Sequence, residues 1–186
     1  MSPELLSAIA SLATFVVIAA TAIAAIIQLR HMRSSNQLSV LVNLLSVFEN
    51  PEMQARFSFV RNEFQERFKD RDFRAGLERI PVDRATHPEM YVLDYYHHIG
   101  IFLLLGLIED QTILVIEGMR AIAFWDILEP GIAILRRQGT QAYFGFEYLV
   151  FRSRRFMSGD TIKRLTNSVP RAFIRDEWLT VDHPPA

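Results

Sequence analysis

The most concentrated group of titratable side chains is a helical pentapeptide that begins at Asp94 and ends at His98. Asp94 lies three and four residues before His97 and His98, so all three side chains share one side of a helix. This geometry holds a divalent metal if other helices add ligands. Metal-binding bundles repeat a Glu-x-x-His element on two helices, and no second copy occurs here. A surface ion pair or a helix-stabilising hydrogen bond between Asp94 and His98 is the simpler interpretation.

Other catalytic signatures are missing from the sequence. There is no Walker-type loop, no G-x-G-x-x-G, no H-E-x-x-H and no G-x-S-x-G. The chain has no cysteine, which excludes thiolate nucleophiles and cysteine-ligated metals. We therefore expect a protein that is not an enzyme and that has no catalytic residue, no metal and no cofactor.

The N-terminal region has the composition of a membrane span. Residues 5–29 contain no charged residue and consist mainly of Ala, Ile, Leu and Val. A helix of this length reaches about 37 Å, enough for the ~30 Å hydrocarbon core of a bilayer. Two alternatives are a cleaved signal peptide and a buried core helix. The acidic start and the long apolar run disfavour the first, and the small size of the remaining domain disfavours the second.

Basic residues follow the apolar run directly. Arg30 and Arg33 lie on its C-terminal side, whereas Glu4 lies on the other. Basic flanks stay in the cytoplasm. The predicted organisation is a short extracytoplasmic N-terminus (1–4), a transmembrane helix (5–29) and a domain in the cytoplasm, which places the protein in the bacterial inner membrane.

Small residues recur at four-residue spacing within the span. Such spacing lets two helices approach closely in lipid. An alanine-rich span also produces these pairs by chance. The candidate packing residues are Ser7, Ser11, Ala20 and Ala24.

The remainder of the chain predicts an all-α fold. Residues 34–50 are apolar on most sides and predict a buried helix, and the Asn50-Pro51-Glu52 sequence predicts the start of another. Further helices are predicted over 51–68, 87–106, 112–139 and 140–157, with a kink or break at Pro130-Gly131. No strand alternation is visible. The predicted architecture is an antiparallel bundle of about five helices over 30–157.

The C-terminal segment, 158–186, is predicted to be basic and partly irregular. Residues 151–175 contain seven bases and one acid. These bases could contact anionic lipid, contact an acidic partner protein or neutralise the protein's own acidic surface. A net charge of −1 argues against nucleic acid as a partner. The candidate residues for contact with lipid or a partner are Arg152, Arg154, Arg155, Lys163 and Arg164, followed by Arg171 and Arg175, together with Arg30 and Arg33 beside the apolar run.

Several short patterns together resemble a bacterial family, domain-of-unknown-function family 4760. They are Gln28-Leu29-Arg30, Pro51-Glu52-Met53, Leu105-Gly106-Leu107-Ile108 before Glu109-Asp110, Trp125 ahead of Pro130, and Phe146-Glu147-Tyr148-Leu149. The resemblance implies a membrane-tethered helical domain without an assigned activity, so it carries over no functional residue.

The sequence therefore favours a non-enzymatic, single-pass membrane protein. We expect an accessory or structural subunit of a larger membrane complex, with membrane lipid and a protein as partners. The alternative is a membrane-tethered sensor or enzyme with a metal or small-molecule site between helices, around Asp94, His97 and His98.

Overall fold

A computed structural model describes residues 3–169, without the side chains of residues 5, 6, 8–11, 33–37 and 138. This part of the chain is helical and contains no strand, which confirms the all-α prediction. The α-helices are α1 (Pro3–Glu49), α2 (Pro51–Asn62), α3 (Phe64–Arg67), α4 (Arg71–Gly76), α5 (Glu89–Leu104), α6 (Asp110–Leu135), α7 (Phe144–Ser158) and α8 (Asp160–Ser168). A 3₁₀ turn, Arg136–Gln138, follows α6.

Helix α1 is one continuous helix of 47 residues. The prediction of a separate buried helix over 34–50 is wrong, because the region between contains no Gly or Pro that would interrupt the backbone hydrogen bonds. Its segment Leu12–Met32 is long and apolar enough to cross a membrane and is not buried within the protein. Beyond that segment, Leu38 is 61% exposed and Val42 54%, whereas Leu44 is buried.

The chain leaves α1 through a single residue, Asn50, and starts α2 as predicted. The Asn50 side chain accepts a hydrogen bond from the backbone N–H of Glu52 at 2.8 Å, and Pro51 occupies the first turn. This cap satisfies one of the amides that a helix start leaves free. The predicted helix over 51–68 is divided at Glu63 into α2 and α3.

An aromatic core joins four elements around Tyr96. The Tyr96 ring on α5 stacks on Phe146 of α7 at 4.9 Å between centroids, and Phe124 of α6 lies 5.6 Å away. Phe57 of α2 lies 6.2 Å from the same ring. Offset and tilted ring pairs of this kind add to the free energy that burial itself supplies. Helices α2, α5, α6 and α7, with the end of α1, form the bundle.

Two further helix predictions need correction. Helix α6 continues through Pro130 without a break, and Pro130 lies on the exposed side of the helix, where water can reach the carbonyl that the missing N–H leaves free. The region after Gly159 is not irregular at first, because residues Asp160–Ser168 form α8. Ile162 and Leu165 of α8 are half-buried.

Helices α5 and α7 cross at two glycines. A Cβ atom on Gly100 would collide with the backbone oxygen of Gly145, and a Cβ atom on Gly145 would lie 2.6 Å from the backbone oxygen of His97. Backbone atoms cannot rotate away as a flexible side chain can. The close approach of these two helices therefore requires glycine at both positions.

We expect Gly100→Ala to destabilise the bundle by about 1–3 kcal/mol, the usual cost of overpacking a core. Gly118→Ala is the matched control on α6, because its Cβ atom would meet the movable end of Met157 at 3.1 Å. Thermal unfolding of the full chain in detergent, followed by circular dichroism, compares the two. An equal loss of thermal stability in both variants would contradict the explanation that the Cβ atom at position 100 collides with the backbone of α7.

Candidate functional site at the junction of α1 and the bundle

The predicted metal candidates have structural partners instead. Asp94 forms an ion pair with Arg84 at 2.7 Å and accepts a hydrogen bond from the Tyr143 hydroxyl at 3.2 Å. The prediction of an ion pair or hydrogen bond between Asp94 and His98 is therefore wrong. Arg84 lies in the connection before α5. Helical spacing in the sequence therefore could not predict its contact with Asp94.

His97 is also occupied by a structural contact. Its Nδ1 atom accepts a hydrogen bond from the backbone N–H of Gly145 at 3.2 Å, at the start of α7. Burial, together with the neighbouring His98, lowers the pKa of His97, which keeps the ring neutral and able to accept that bond. Among the described residues, no group of three His, Cys, Asp or Glu side chains is placed to hold a metal.

The basic residues of the C-terminal part divide into two sets. Arg152 forms an ion pair with Asp110 and donates a hydrogen bond to the Tyr148 hydroxyl at 2.7 Å. Arg154 pairs with Asp126 at 2.7 Å. Both acids belong to α6, so these two bases neutralise the protein's own surface.

The second set is more exposed. Arg155 and Arg164 are exposed, and Lys163 lies 3.9 Å from Asp160 of its own helix. Arg30 is exposed on α1 within the apolar segment's last turn. The predicted packing residues Ser7, Ala20 and Ala24 are exposed on α1. The remaining predicted contact and packing residues, Ser11, Arg33, Arg171 and Arg175, lie outside the described residues or side chains.

The last turns of α1 attach it to the bundle. The Phe48 ring packs on Phe57 of α2 at 5.2 Å between centroids, and the Arg120 guanidinium of α6 lies 4.2 Å from the Phe48 centroid. The Tyr95 hydroxyl of α5 donates a hydrogen bond to the carbonyl of Leu44 at 3.5 Å. Three helices of the bundle thus hold one short stretch of α1.

A buried carboxyl group lies beside this attachment. Glu117 of α6 is 1% exposed, and neither of its oxygens has a hydrogen-bond partner among the described residues. Arg120 approaches it at 3.4 Å, an ion pair without hydrogen-bond geometry. Burial outweighs the attraction of Arg120 and raises the pKa of Glu117 to about 7. The group is therefore partly protonated at neutral pH.

An apolar groove of about 540 Å³ opens where α1 meets α2 and α5. Its α1 wall includes Val40, Asn43 and Val47, and Val47 is 46% exposed. The facing wall combines aromatic and aliphatic side chains with a charged edge, formed by Met53, Arg56, Tyr91, Asp94, Tyr95, His98 and Phe102. Arg56 lies 3.6 Å from the Tyr91 ring centroid at the charged edge of the groove. Such a surface suits an apolar helix or segment of another chain.

Neither the burial of Glu117 nor the groove was predicted from the sequence. A signal for Glu117 was present, because Ile113, Glu117 and Ala121 repeat at four-residue spacing and place an acid on the apolar stripe of α6. No comparable signal existed for the groove. Its walls come from three helices, and the exposure of Val47 depends on the angle at which α1 packs against the bundle.

Fold and site together define a class: an all-α protein with one N-terminal helix long enough to cross a membrane and an apolar groove at the base of that helix. The chain belongs to the family described as a domain of unknown function (DUF4760), whose sequence pattern matches residues 15–153. This membership confirms the resemblance found in the sequence. No curated protein and no solved structure matches the chain.

We expect stability to fall between pH 4.5 and about 7 because of Glu117. Its folded pKa lies above the unfolded value of about 4.3, so the folded state binds more protons in this range and loses stability as the pH rises. Glu117→Gln should remove up to about 3 kcal/mol of this dependence and be more stable than the wild type at pH 8.

The exposed Glu129 of the same helix provides the control variant, Glu129→Gln. Thermal melts of the full chain in detergent at pH 5, 6, 7 and 8 give the measurement. If both variants follow the wild-type pH dependence, Glu117 does not carry a raised pKa.

Proposed function

We propose that this protein is a non-enzymatic, single-pass membrane protein that serves as an accessory subunit of a larger membrane complex. Its N-terminus is outside the bacterial cytoplasmic membrane and its helical domain is in the cytoplasm. The observation that carries the proposal is the solvent-exposed apolar groove near the C-terminal end of α1, a few turns beyond the apolar segment Leu12–Met32.

Two features of α1 support the anchoring part of the proposal. The segment Leu12–Met32 has 21 residues, which span about 31 Å and match the hydrocarbon thickness of a bilayer. Arg30 and Arg33 lie at its C-terminal end, whereas Glu4 precedes it. The positive-inside bias then favours a cytoplasmic domain.

The position of the groove supports a membrane-bound partner. Val40, at the groove's edge, follows Met32 by eight residues, or about 12 Å along the helix. In the proposed arrangement the groove therefore lies just outside the bilayer, where it can bind an apolar segment that follows the membrane span of a neighbouring subunit. Burying the groove against it would remove exposed Val47 and the partly exposed Phe102 from water.

The second set of bases supports an additional contact with lipid headgroups. Arg155 and Arg164 are exposed, and Arg155 lines a polar pocket with Phe151 and Thr161. Each base near an anionic surface gains about 1 kcal/mol. Arg152 and Arg154 contribute less in this proposal, because acids of α6 already pair with them.

We expect a cysteine at position 4 to be labelled by an impermeant thiol reagent in intact cells, and a cysteine at position 58 only after lysis. Glu4 and Ser58 are both exposed, and the wild-type chain has no thiol to interfere. The labelling of two single variants, Glu4→Cys and Ser58→Cys, is measured in intact cells and after lysis. Labelling of Ser58→Cys in intact cells would reverse the orientation, and loss of Glu4→Cys from the mature chain would show cleavage of a signal peptide.

We expect Val47→Glu to abolish recovery of the partner when the protein is purified from native membranes in a gentle detergent. A carboxylate on the exposed apolar wall of the groove would have to lose its hydration shell when an apolar partner segment covers it. Leu105→Glu is the control, because Leu105 is 65% exposed in the turn between α5 and α6, outside the groove.

The stoichiometry of co-purified proteins is the measurement. The proposal fails if the wild type emerges alone, or if Val47→Glu retains the same partner as the wild type. Loss with Leu105→Glu alone would place the interface at the turn between α5 and α6 and would contradict the groove.

A further inference from the structure

The contacts of α6 show which of its ends faces the apolar segment of α1. Phe48, in the last turn of α1, packs against the Arg120 guanidinium in the middle of α6. Phe64, the first residue of α3, packs against Gly131 near the end of α6, where a Cβ atom would lie 3.3 Å from the ring. Later residues of the chain thus contact later residues of α6. The start of α6 and the turn before it therefore lie on the side of the bundle that faces the segment Leu12–Met32.

Because α1 and α6 run in the same direction, helix geometry gives the distance of this turn from the apolar segment. Phe48 lies 16 residues beyond Met32, or about 24 Å along α1. Asp110, the first residue of α6, lies ten residues before Arg120, or about 15 Å back towards Met32. The turn is therefore about 9 Å from the level of Met32. A headgroup layer is about 5–8 Å thick, so the turn lies at the outer edge of that layer when Leu12–Met32 spans the bilayer.

The turn itself is apolar, exposed and closed by its own hydrogen bonds. Leu104 is 48% exposed, Leu105 65% and Leu107 47%. The backbone N–H groups of Leu105, Gly106 and Leu107 donate hydrogen bonds of 2.9–3.1 Å to carbonyls of the last turn of α5. Gly106 adopts the left-handed φ of 65° that this type of helix end requires. Because these three N–H groups are already paired, the turn can leave water without the cost of an unpaired amide.

Exposed bases flank the turn. Helix α8 packs beside the first turn of α6, where Ile162 and Leu165 line an apolar pocket together with Thr112. Lys163 and Arg164 lie between those two apolar residues in the sequence, and both are exposed. Bases beside an apolar insertion gain from the attraction of anionic headgroups.

Acidic side chains at this end of the bundle offset most of that charge. Asp110 forms an ion pair with Arg152. Glu109 precedes α6, and Asp160 begins α8. The basic excess is therefore small, and we expect the exposed leucines to supply most of any contact with lipid.

We propose that the turn at residues 104–107 is a second membrane contact, whose leucines insert into the headgroup layer of the bilayer that α1 crosses. The inference rests on the anchoring part of the proposed function. The bilayer is the occupant because α1 holds it at this end of the bundle. Since the anchor already confines the turn to the membrane surface, a few leucines are sufficient for a lasting contact.

A second contact would fix the orientation of the bundle. An anchor that consists of α1 alone leaves the bundle free to rotate about the axis of α1. Insertion of the turn would stop that rotation. The turn follows α5, whose residues Tyr95, His98 and Phe102 line one wall of the groove. The groove would then be held at a constant height and direction beside the membrane, where a neighbouring subunit can reach it.

Lipid quenching of a fluorophore on the full chain tests the contact. Leu105→Cys and Met119→Cys are each labelled with a polarity-sensitive fluorophore and reconstituted into vesicles of phosphatidylcholine and phosphatidylglycerol. The wild-type chain has no cysteine, so each variant carries one probe. Leu105 and Met119 are 65% and 63% exposed, which matches their access to water. Met119 lies about 18 Å further along α6 from the turn.

We expect the probe at position 105 to emit at shorter wavelength in vesicles. We also expect lipid with a nitroxide on its headgroup to quench this probe several-fold more strongly than the probe at position 119. Leu104→Ser combined with Leu107→Ser, in the Leu105→Cys background, should lower the quenching several-fold. Ile80→Ser is the control, because Ile80 is 80% exposed and lines a pocket with Leu135 at the opposite end of α6. Circular dichroism of each labelled variant confirms that the bundle is folded.

Equal quenching at positions 105 and 119, in a chain that resists carbonate extraction, would overturn this inference and leave the anchor intact. Extraction of the full chain by carbonate would overturn the anchor and this contact together. If Leu105→Cys is protected from a thiol reagent in lysed native membranes but is not quenched in vesicles, a protein covers the turn and the lipid contact is wrong. Strong quenching in a protein that purifies alone would support this contact and contradict the accessory role.

Discussion

The attachment of Phe48 to the bundle is the contact on which the arrangement of this protein depends. Its ring lies between Phe57 and the Arg120 guanidinium, at 5.2 Å and 4.2 Å. Among the described side chains of this 47-residue helix, those that pack on the bundle lie in its last turns. The bundle thus holds α1 at one end and leaves the apolar segment Leu12–Met32 uncovered.

Glu117 shows how the core accommodates a charge next to this contact. A carboxylate without hydrogen bonds is costly to bury, and its raised pKa reduces that cost by keeping part of the population neutral. Arg120 interacts with both Glu117 and the Phe48 ring. The same guanidinium group therefore contacts both the buried carboxyl group of Glu117 and the ring that attaches α1 to the bundle.

The groove and the uncovered face lie on different sides of α1. The groove side includes Val47 and opens onto α2 and α5, whereas Leu38 and Val42 point away from the bundle. In the proposed function, the groove side binds a neighbouring subunit. The region that matches the family begins inside the apolar segment and continues through most of α7.

The sequence by itself determined the helical class, the apolar N-terminal helix and several helix starts. These features are local: Asn50 caps the amide two residues ahead, and apolar residues at helical spacing indicate one face. The tertiary structure alone decided that Leu38 and Val42 remain uncovered, that Asp94 pairs with Arg84, and that Glu117 is buried. Periodicity shows which face is apolar but not what covers it, and a charged side chain pairs with whichever opposite charge the fold brings close.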